Sequence, residues 1–218
     1  MHIEPGFIAQ AKVVGANATL LAVLGLYARK VVKNPIILVK AVIAAVFFSI
    51  FMQVYSVPVG PSELHFVGAM AIYLTLGFVP TLMGFTVGLL LQGAIFDPHD
   101  LPHLAVNSLS LIVPLIATHY AMGKKLFDKK LTKRLSWKAI VKLDAMYYAG
   151  VVSMVGFWLV IGQGAATLSS WLTFTAAYLV LIAVEPIFTI SIVRLMKKHE
   201  GSSLIKKFFV TKNLTVTE

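Results

Sequence analysis

The chain has 218 residues, of which 58% are hydrophobic and 13% charged, and its mean hydropathy is +0.85. That is too apolar for a soluble domain and matches a polytopic helical membrane protein. Nineteen Lys and Arg against nine Asp and Glu give a formal charge of +10, but the basic residues sit in short connectors between apolar stretches, which speaks of membrane topology rather than nucleic acid; the absence of cysteine excludes disulfides and thiolate ligands, so any metal must be held by nitrogen or oxygen.

The chain begins Met1-His2-Ile3-Glu4-Pro5-Gly6-Phe7. The α-amine of Met1, the amide nitrogen of His2 and the imidazole of His2 can chelate one ion together. Amine and amide close a five-membered ring, and amide and imidazole Nδ1 a six-membered one. Three nitrogens in a plane suit Ni(II) or Cu(II) and, less strongly, Co(II), whereas Zn(II) prefers a tetrahedron. A second histidine would complete a square. The competing reading is a frayed terminal residue. No basic segment or small-residue cleavage site marks a signal peptide, and a large second residue is expected to leave Met1 in place with its amine free.

A first apolar span covers 7–28; 22 residues reach about 33 Å, enough for a hydrocarbon core of ~30 Å. Arg29, Lys30, Lys33 and Lys40 flank Pro35, where a second span, 36–57, starts. Val57 to Ser62 reads as a loop, because two prolines and a glycine cannot continue a helix. His65 opens an apolar run that Gly77-Phe78-Val79-Pro80 divides into a short helix, 64–77, and a fuller one, 79–96. Asp97 to His103 reads as a further loop in which no helix is expected, followed by a fifth span at 104–122. A basic connector, 124–134, leads to spans at about 144–162 and 171–193 and then to a basic tail.

The fold expected is all-α, about seven transmembrane helices. An N-terminal metal-chelating segment at 1–6 precedes a membrane domain at 7–195 and a basic tail at 196–218. Every basic residue except Lys12 falls in three groups, at 29–40, 124–142 and 194–212. Threading seven spans puts all three on one side, the cytoplasm, with the N-terminus outside and the C-terminus inside. His2, His65, His99 and His103 then share the outer face.

His65 is a candidate ligand or a polar interfacial residue. His99 and His103, beside Asp97 and Asp100, read as a solvated loop or an acidic funnel more than as ligands. Glu4 and Glu63 can receive a hydrogen bond from a ligating imidazole, and Glu63 can equally cap the short helix. Gln92 and Asn107 can bond the N-terminal segment, the ligating histidines or a neighbouring helix. Glu185, inside the last span before Pro186, reads as a relay for a proton or ion, or as the partner of a basic residue. Lys12 snorkels outward or pairs with an outer carboxylate. The pairs Ala18/Ala22 and Ala41/Ala45 are small-xxx-small signals for a partner subunit. No phosphate-binding loop, Ser-His-Asp set or His-Glu-x-x-His motif is present, so no catalytic site is expected.

The Met-His-Ile start with Glu4 and Gly6, the set Ser62, His65 and Gly68, the stretch Leu89 to Gln92, and Asn107 together resemble the CbiM/NikM family, the nickel/cobalt substrate-binding membrane subunits of energy-coupling-factor (ECF) transporters. The resemblance covers residues 1–120; beyond that only the span pattern agrees. It implies a seven-span subunit whose N-terminus plugs into the bundle, with Ni2+ or Co2+ as transported substrate held by the Met1 amine, the His2 amide and imidazole, and His65. It also implies a transmembrane coupling subunit, cytoplasmic ATPases, often a small accessory membrane subunit, and a bacterial or archaeal inner membrane. Family members usually read Met-His-Ile-Met-Glu-Gly; here Glu4-Pro5 shifts the acid by one place, and the stretch after Asn107 lacks the usual glycines. Those departures leave the four nitrogens untouched and fall in their surroundings, which choose between nickel, cobalt and another divalent ion. The alternatives from other classes are a stand-alone secondary carrier relying on Glu185, and a membrane-embedded metalloenzyme or assembly factor using His99 and His103.

Overall fold

The computed structural model describes residues 2–127, 134–163, 168–210 and 215–216, with the backbone alone at 2, 134, 163, 215 and 216. The first residues do not enter a helix. His2–Ile3 form a short strand, β1, and Gly6, at φ +90°, turns the chain in a region closed to other side chains. Helix α1 therefore starts at Gln10 and runs to Lys33. Pro35 has no N–H to continue it, and α2, Ile36–Val54, begins directly after.

The expected loop at 57–62 is a β-hairpin. Strand β2, Ser56–Val59, and strand β3, Ser62–His65, are antiparallel, with Val59 opposite Ser62 and Ser56 opposite His65. Gly60, at φ +59°, supplies the turn. Pro58 is tolerated because β2 is an edge: the strand order is β1-β3-β2, so β3 is the middle strand. The short helix expected at 64–77 is consequently only Ala69–Leu76, α3, and His65 ends a strand instead of opening a helix. Eight residues rise only about 12 Å. All eight are buried, so α3 is surrounded by protein.

Helix α4 spans Phe78–Ile95 and α5 spans Leu104–Ala121. Between them, the segment expected to be an open loop is a 3-10 helix, Pro98–His103, whose start is capped by the Asp97 carboxylate accepting from the His99 N–H at 3.1 Å. Helix α6, Trp137–Gln163, and α7, Leu168–Lys198, both run past the apolar spans into their basic flanks. The boundary expected at 195/196 thus falls inside α7. A last short helix, α8, Ser203–Phe208, lies in the tail. The tail folds back: the Val210 N–H donates to the Thr75 carbonyl at 2.8 Å, and β4, Arg134–Leu135, pairs in parallel with β5, Thr215–Val216. Lys129, Lys130, Lys133 and Lys212 of the basic groups lie outside the described residues.

Among the described residues six helices are long and apolar enough to cross a membrane: α1, α2, α4, α5 with its 3-10 lead, α6 and α7. The spans of α4 and α5 are each 67% buried, against 22% for α1 and 28% for α2, so α4 and α5 form the centre and α1 and α2 the rim. Contact between α2 and α4 is close because α4 offers glycines. A Cβ on Gly84 would lie 2.5 Å from Ala44 Cβ, and one on Gly88 2.4 Å from Phe48 Cδ1. Ala41 and Ala45 therefore serve packing within the chain and not a partner subunit, whereas Ala18 and Ala22 remain exposed on α1.

Candidate metal centre

Strand β1 is held at the hairpin end of the bundle by its backbone. It is antiparallel to β3, with His2 opposite Glu63 and Ile3 opposite Ser62. The Glu4 N–H donates to the Pro61 carbonyl at 3.2 Å. Antiparallel ladders alternate, so Ile3 directs its N–H and C=O away from β3 and needs other partners. Asn107 Oδ1 accepts from the Ile3 N–H at 3.0 Å, and His103 Nδ1 donates to the Ile3 carbonyl at 2.9 Å. The Ile3 side chain is fully buried. Behind it, a Cβ on Gly162 would lie 2.8 Å from the Phe7 carbonyl oxygen, so glycine lets α6 approach the chain closely. Lys12 Nζ donates to the Ile161 carbonyl, capping α6 in place of an outer carboxylate.

This geometry reassigns His103. It is not a solvated loop residue: it is 2% exposed, and its Nδ1 faces a carbonyl, which fixes the proton there. Sequence alone missed this because Asp97 to His103 reads as hydrophilic punctuation. Asn107 is the polar residue that reaches the N-terminal segment. Gln92 instead bonds the neighbouring helix, donating to the Ser49 carbonyl and accepting from Gln53 Nε2, both at 2.7 Å.

His65 is 6% exposed and sits on the middle strand. Its Nε2 lies 3.0 Å from Glu63 Oε2, and its Nδ1 lies 3.4 Å from the Met52 carbonyl. Glu63 and His65 are two apart in a strand, hence on one face. Glu63 also accepts from Ser56 Oγ at 2.6 Å, so it belongs to the hairpin and does not cap α3. The carbonyl accepts from Nδ1 and the carboxylate lies beside Nε2, so the ring has the kind of neighbours that orient a metal-binding imidazole. The ion would replace a proton on the ring.

Two cavities open here. One, of about 260 Å³, is lined by His65, Glu63, Gln92, Gln53, Asp97 and Asp100 among others. Another, of about 430 Å³, is lined by Glu4, Glu63, Asp97, His99 and Asp100 with Pro5, Pro58 and Ser62. They share Glu63, Asp97 and Asp100. The Met1 amine lies outside the described residues, as does the His2 side chain. Among the described residues no group of three or more histidines and carboxylates is arranged to hold a metal ion. Glu185 is placed elsewhere: fully buried on α7, it meets backbone amides and Tyr148, and no basic residue among the described residues.

The sequence model of the cobalt uptake substrate-specific transmembrane region, CbiM, matches residues 2–202. The chain belongs to the CbiM family. The family is a multi-pass membrane component of multi-subunit transition-metal uptake systems, not an enzyme. Two solved structures share the fold. One, described as the crystal structure of a transition metal transporter, is 20% identical, covers 95% of this chain and 97% of that one, and superposes with a TM-score of 0.73. The other, a truncated transition metal transporter, is 21% identical over 91% of this chain and 99% of that one, with a TM-score of 0.71. No curated protein matches the sequence. With CbiM membership, the hairpin end becomes the place to look for the transported ion, since polar side chains gather around the N-terminal strand there.

Proposed function

We propose that this CbiM-family chain is the substrate-capture subunit of an ATP-driven ECF-type importer for Ni2+ or Co2+. The ion is held by four nitrogens near one plane: the Met1 amine, the His2 amide, the His2 imidazole and the His65 imidazole. The observation that carries this reading is the pairing of β1 with β3, which sets His2 opposite Glu63, two residues from His65. A planar nitrogen set favours d8 Ni(II) and is compatible with Co(II). Glu63 stands beside His65, and Asn107 and His103 hold the strand that leads to the amine.

The hairpin end faces the outside of a bacterial or archaeal plasma membrane, and the basic end faces the cytoplasm. Residues 1–6 act as the chelating plug, 7–195 as the membrane scaffold and 196–218 as the cytoplasmic tail. The carboxylates of Glu4, Glu63, Asp97 and Asp100 draw cations toward the site. Partners are a transmembrane coupling subunit, cytoplasmic ATPases and a small accessory membrane subunit. Release toward the cytoplasm requires the square to be broken, by withdrawal of β1 or by tilting of the bundle. Calorimetric titration of the purified chain with one residue added before Met1 tests the site. The extension should abolish high-affinity nickel binding; unchanged affinity would refute the reading.

A further inference from the structure

We propose that Glu185 is a positioning residue for His65, acting through the Val67–Gly68 turn. The inference rests on the reading of His65 as a metal ligand. Glu185 lies within α7 and is fully buried. A carboxylate at such a depth is costly and calls for a stated role. Its partners define one. Oε1 accepts from the Gly68 N–H at 3.0 Å, from the Val67 N–H at 3.4 Å and from the Tyr148 hydroxyl, while Oε2 has no hydrogen-bond partner among the described residues. Two successive backbone amides turned toward one oxygen form an anion-binding concavity.

Gly68 is also the residue that precedes α3, and no side chain of its own segment caps that helix. Glu185 does so from another helix. Its charge sits where the α3 dipole is positive, and it satisfies amides that have no partner within the turn. The turn is fixed from a second side as well. Gly68 adopts φ +60°, and a Cβ there would lie 2.8 Å from Phe51 and 3.0 Å from Phe188. Phe51, Phe66 and Phe188 meet edge to face around it, with centroids 5.0 to 5.9 Å apart. Phe188 is on α7, one turn beyond Glu185.

His65 therefore sits between two fastenings. On one side its strand pairs with Ser56, and the Phe66 N–H donates to the Tyr55 carbonyl at 3.1 Å. On the other, Glu185 and Phe188 hold residues 67 and 68. A planar metal site demands that the fourth nitrogen arrive at one place, and small displacements of a ligand weaken binding. Through the Val67 and Gly68 amides Glu185 bears on the backbone two and three residues beyond His65.

The test compares Glu185→Leu, Glu185→Gln and His65→Ala, with Thr189→Val as a control. Thr189 Oγ1 donates to the Asp144 carboxylate at 3.5 Å in the same buried region, away from the Val67 and Gly68 amides that Glu185 accepts from. Each variant is titrated with Ni(II) and the visible absorption band of the complex is recorded. In Glu185→Leu, affinity should fall by about 10- to 100-fold, and the band should move to longer wavelength toward that of His65→Ala, as water replaces the fourth nitrogen. The double variant Glu185→Leu/His65→Ala should lose nothing beyond His65→Ala. Glu185→Gln keeps an acceptor oxygen without the charge and should lie between wild type and Leu. Thr189→Val should lower thermal stability and leave affinity and band unchanged. Wild-type affinity and band in both Glu185 variants would overturn the proposal; if the Leu variant does not fold, Glu185→Gln at wild-type affinity overturns it alone. Losses that add in the double variant also overturn it. If one residue before Met1 leaves nickel binding intact in the wild-type chain, the site reading fails and takes the inference with it. If that extension abolishes binding while the Glu185 variants bind normally, the inference fails alone.

Discussion

The two ends of the bundle are closed by different means. At the hairpin end, polar side chains hold backbone: Asn107 and His103 fasten Ile3, and Glu63 contacts His65. At the tail end, rings close the gap. His119 stacks on Phe78 at 3.8 Å with the planes 3° apart, and its Nδ1 meets the Tyr73 hydroxyl at 2.8 Å. Tyr73 is so tightly enclosed that a Cβ on Gly123 would lie 2.2 Å from its oxygen. Hydrogen bonds to a terminal strand can be broken and remade one at a time, while a ring stack yields only when helices move. On the proposed reading, the hairpin end would admit the ion by local motion, and the tail end would stay shut until the whole bundle is rearranged.

Perturbations that separate the ends sharpen this contrast. The largest effect is expected for His65→Ala, which should reduce nickel affinity beyond the roughly 10- to 100-fold seen for groups that only orient a ligand, read by calorimetry. Asn107→Leu comes next. It leaves the buried Ile3 amide without an acceptor, a cost of about 1–3 kcal/mol, so nickel affinity should fall by about 5- to 150-fold and the Ile3 amide should exchange faster with deuterium. Gly84→Val places a side chain against Ala44 and the Ala41 carbonyl; overpacking of about 1–3 kcal/mol should lower the midpoint of thermal unfolding in detergent while nickel stoichiometry stays the same. The smallest change is expected for His119→Phe. It keeps a ring on Phe78 but removes the bond to Tyr73, costing about 1 kcal/mol of stability and leaving nickel affinity unchanged. A change in nickel affinity there would show that the two ends are coupled in the resting chain.

The helices were legible in the sequence because long apolar runs separated by basic and proline-containing connectors leave few alternatives. Pro35 and Gly77 mark breaks that the structure keeps. The hairpin was not legible. Val57-Pro58-Val59-Gly60-Pro61 has the composition of a loop, yet Val57 to Val59 pair with Leu64 to Ser62, and residues 2 and 3, some sixty positions away, add a third strand on the other side of β3. His103 was misread for a similar reason. Its partner is a carbonyl 100 positions distant, and no local pattern announces such a bond. Asp144 is fully buried and accepts from Thr189 of α7, a placement that its basic flank, Lys138 and Lys142, conceals in the sequence. A lone acid within an otherwise apolar stretch was the available signal. The role of Glu185 needed coordinates, since amides 117 and 118 positions away are its partners.

The central claim is that the amino end and His65 share one metal ion in a plane of nitrogens. X-ray absorption at the nickel edge, on the purified chain with its native first residue, tests it most directly. A four-coordinate planar spectrum with only nitrogen neighbours is expected, converted by His65→Ala to one with an oxygen neighbour. A six-coordinate, oxygen-rich spectrum, or one that His65→Ala leaves unaltered, would contradict it.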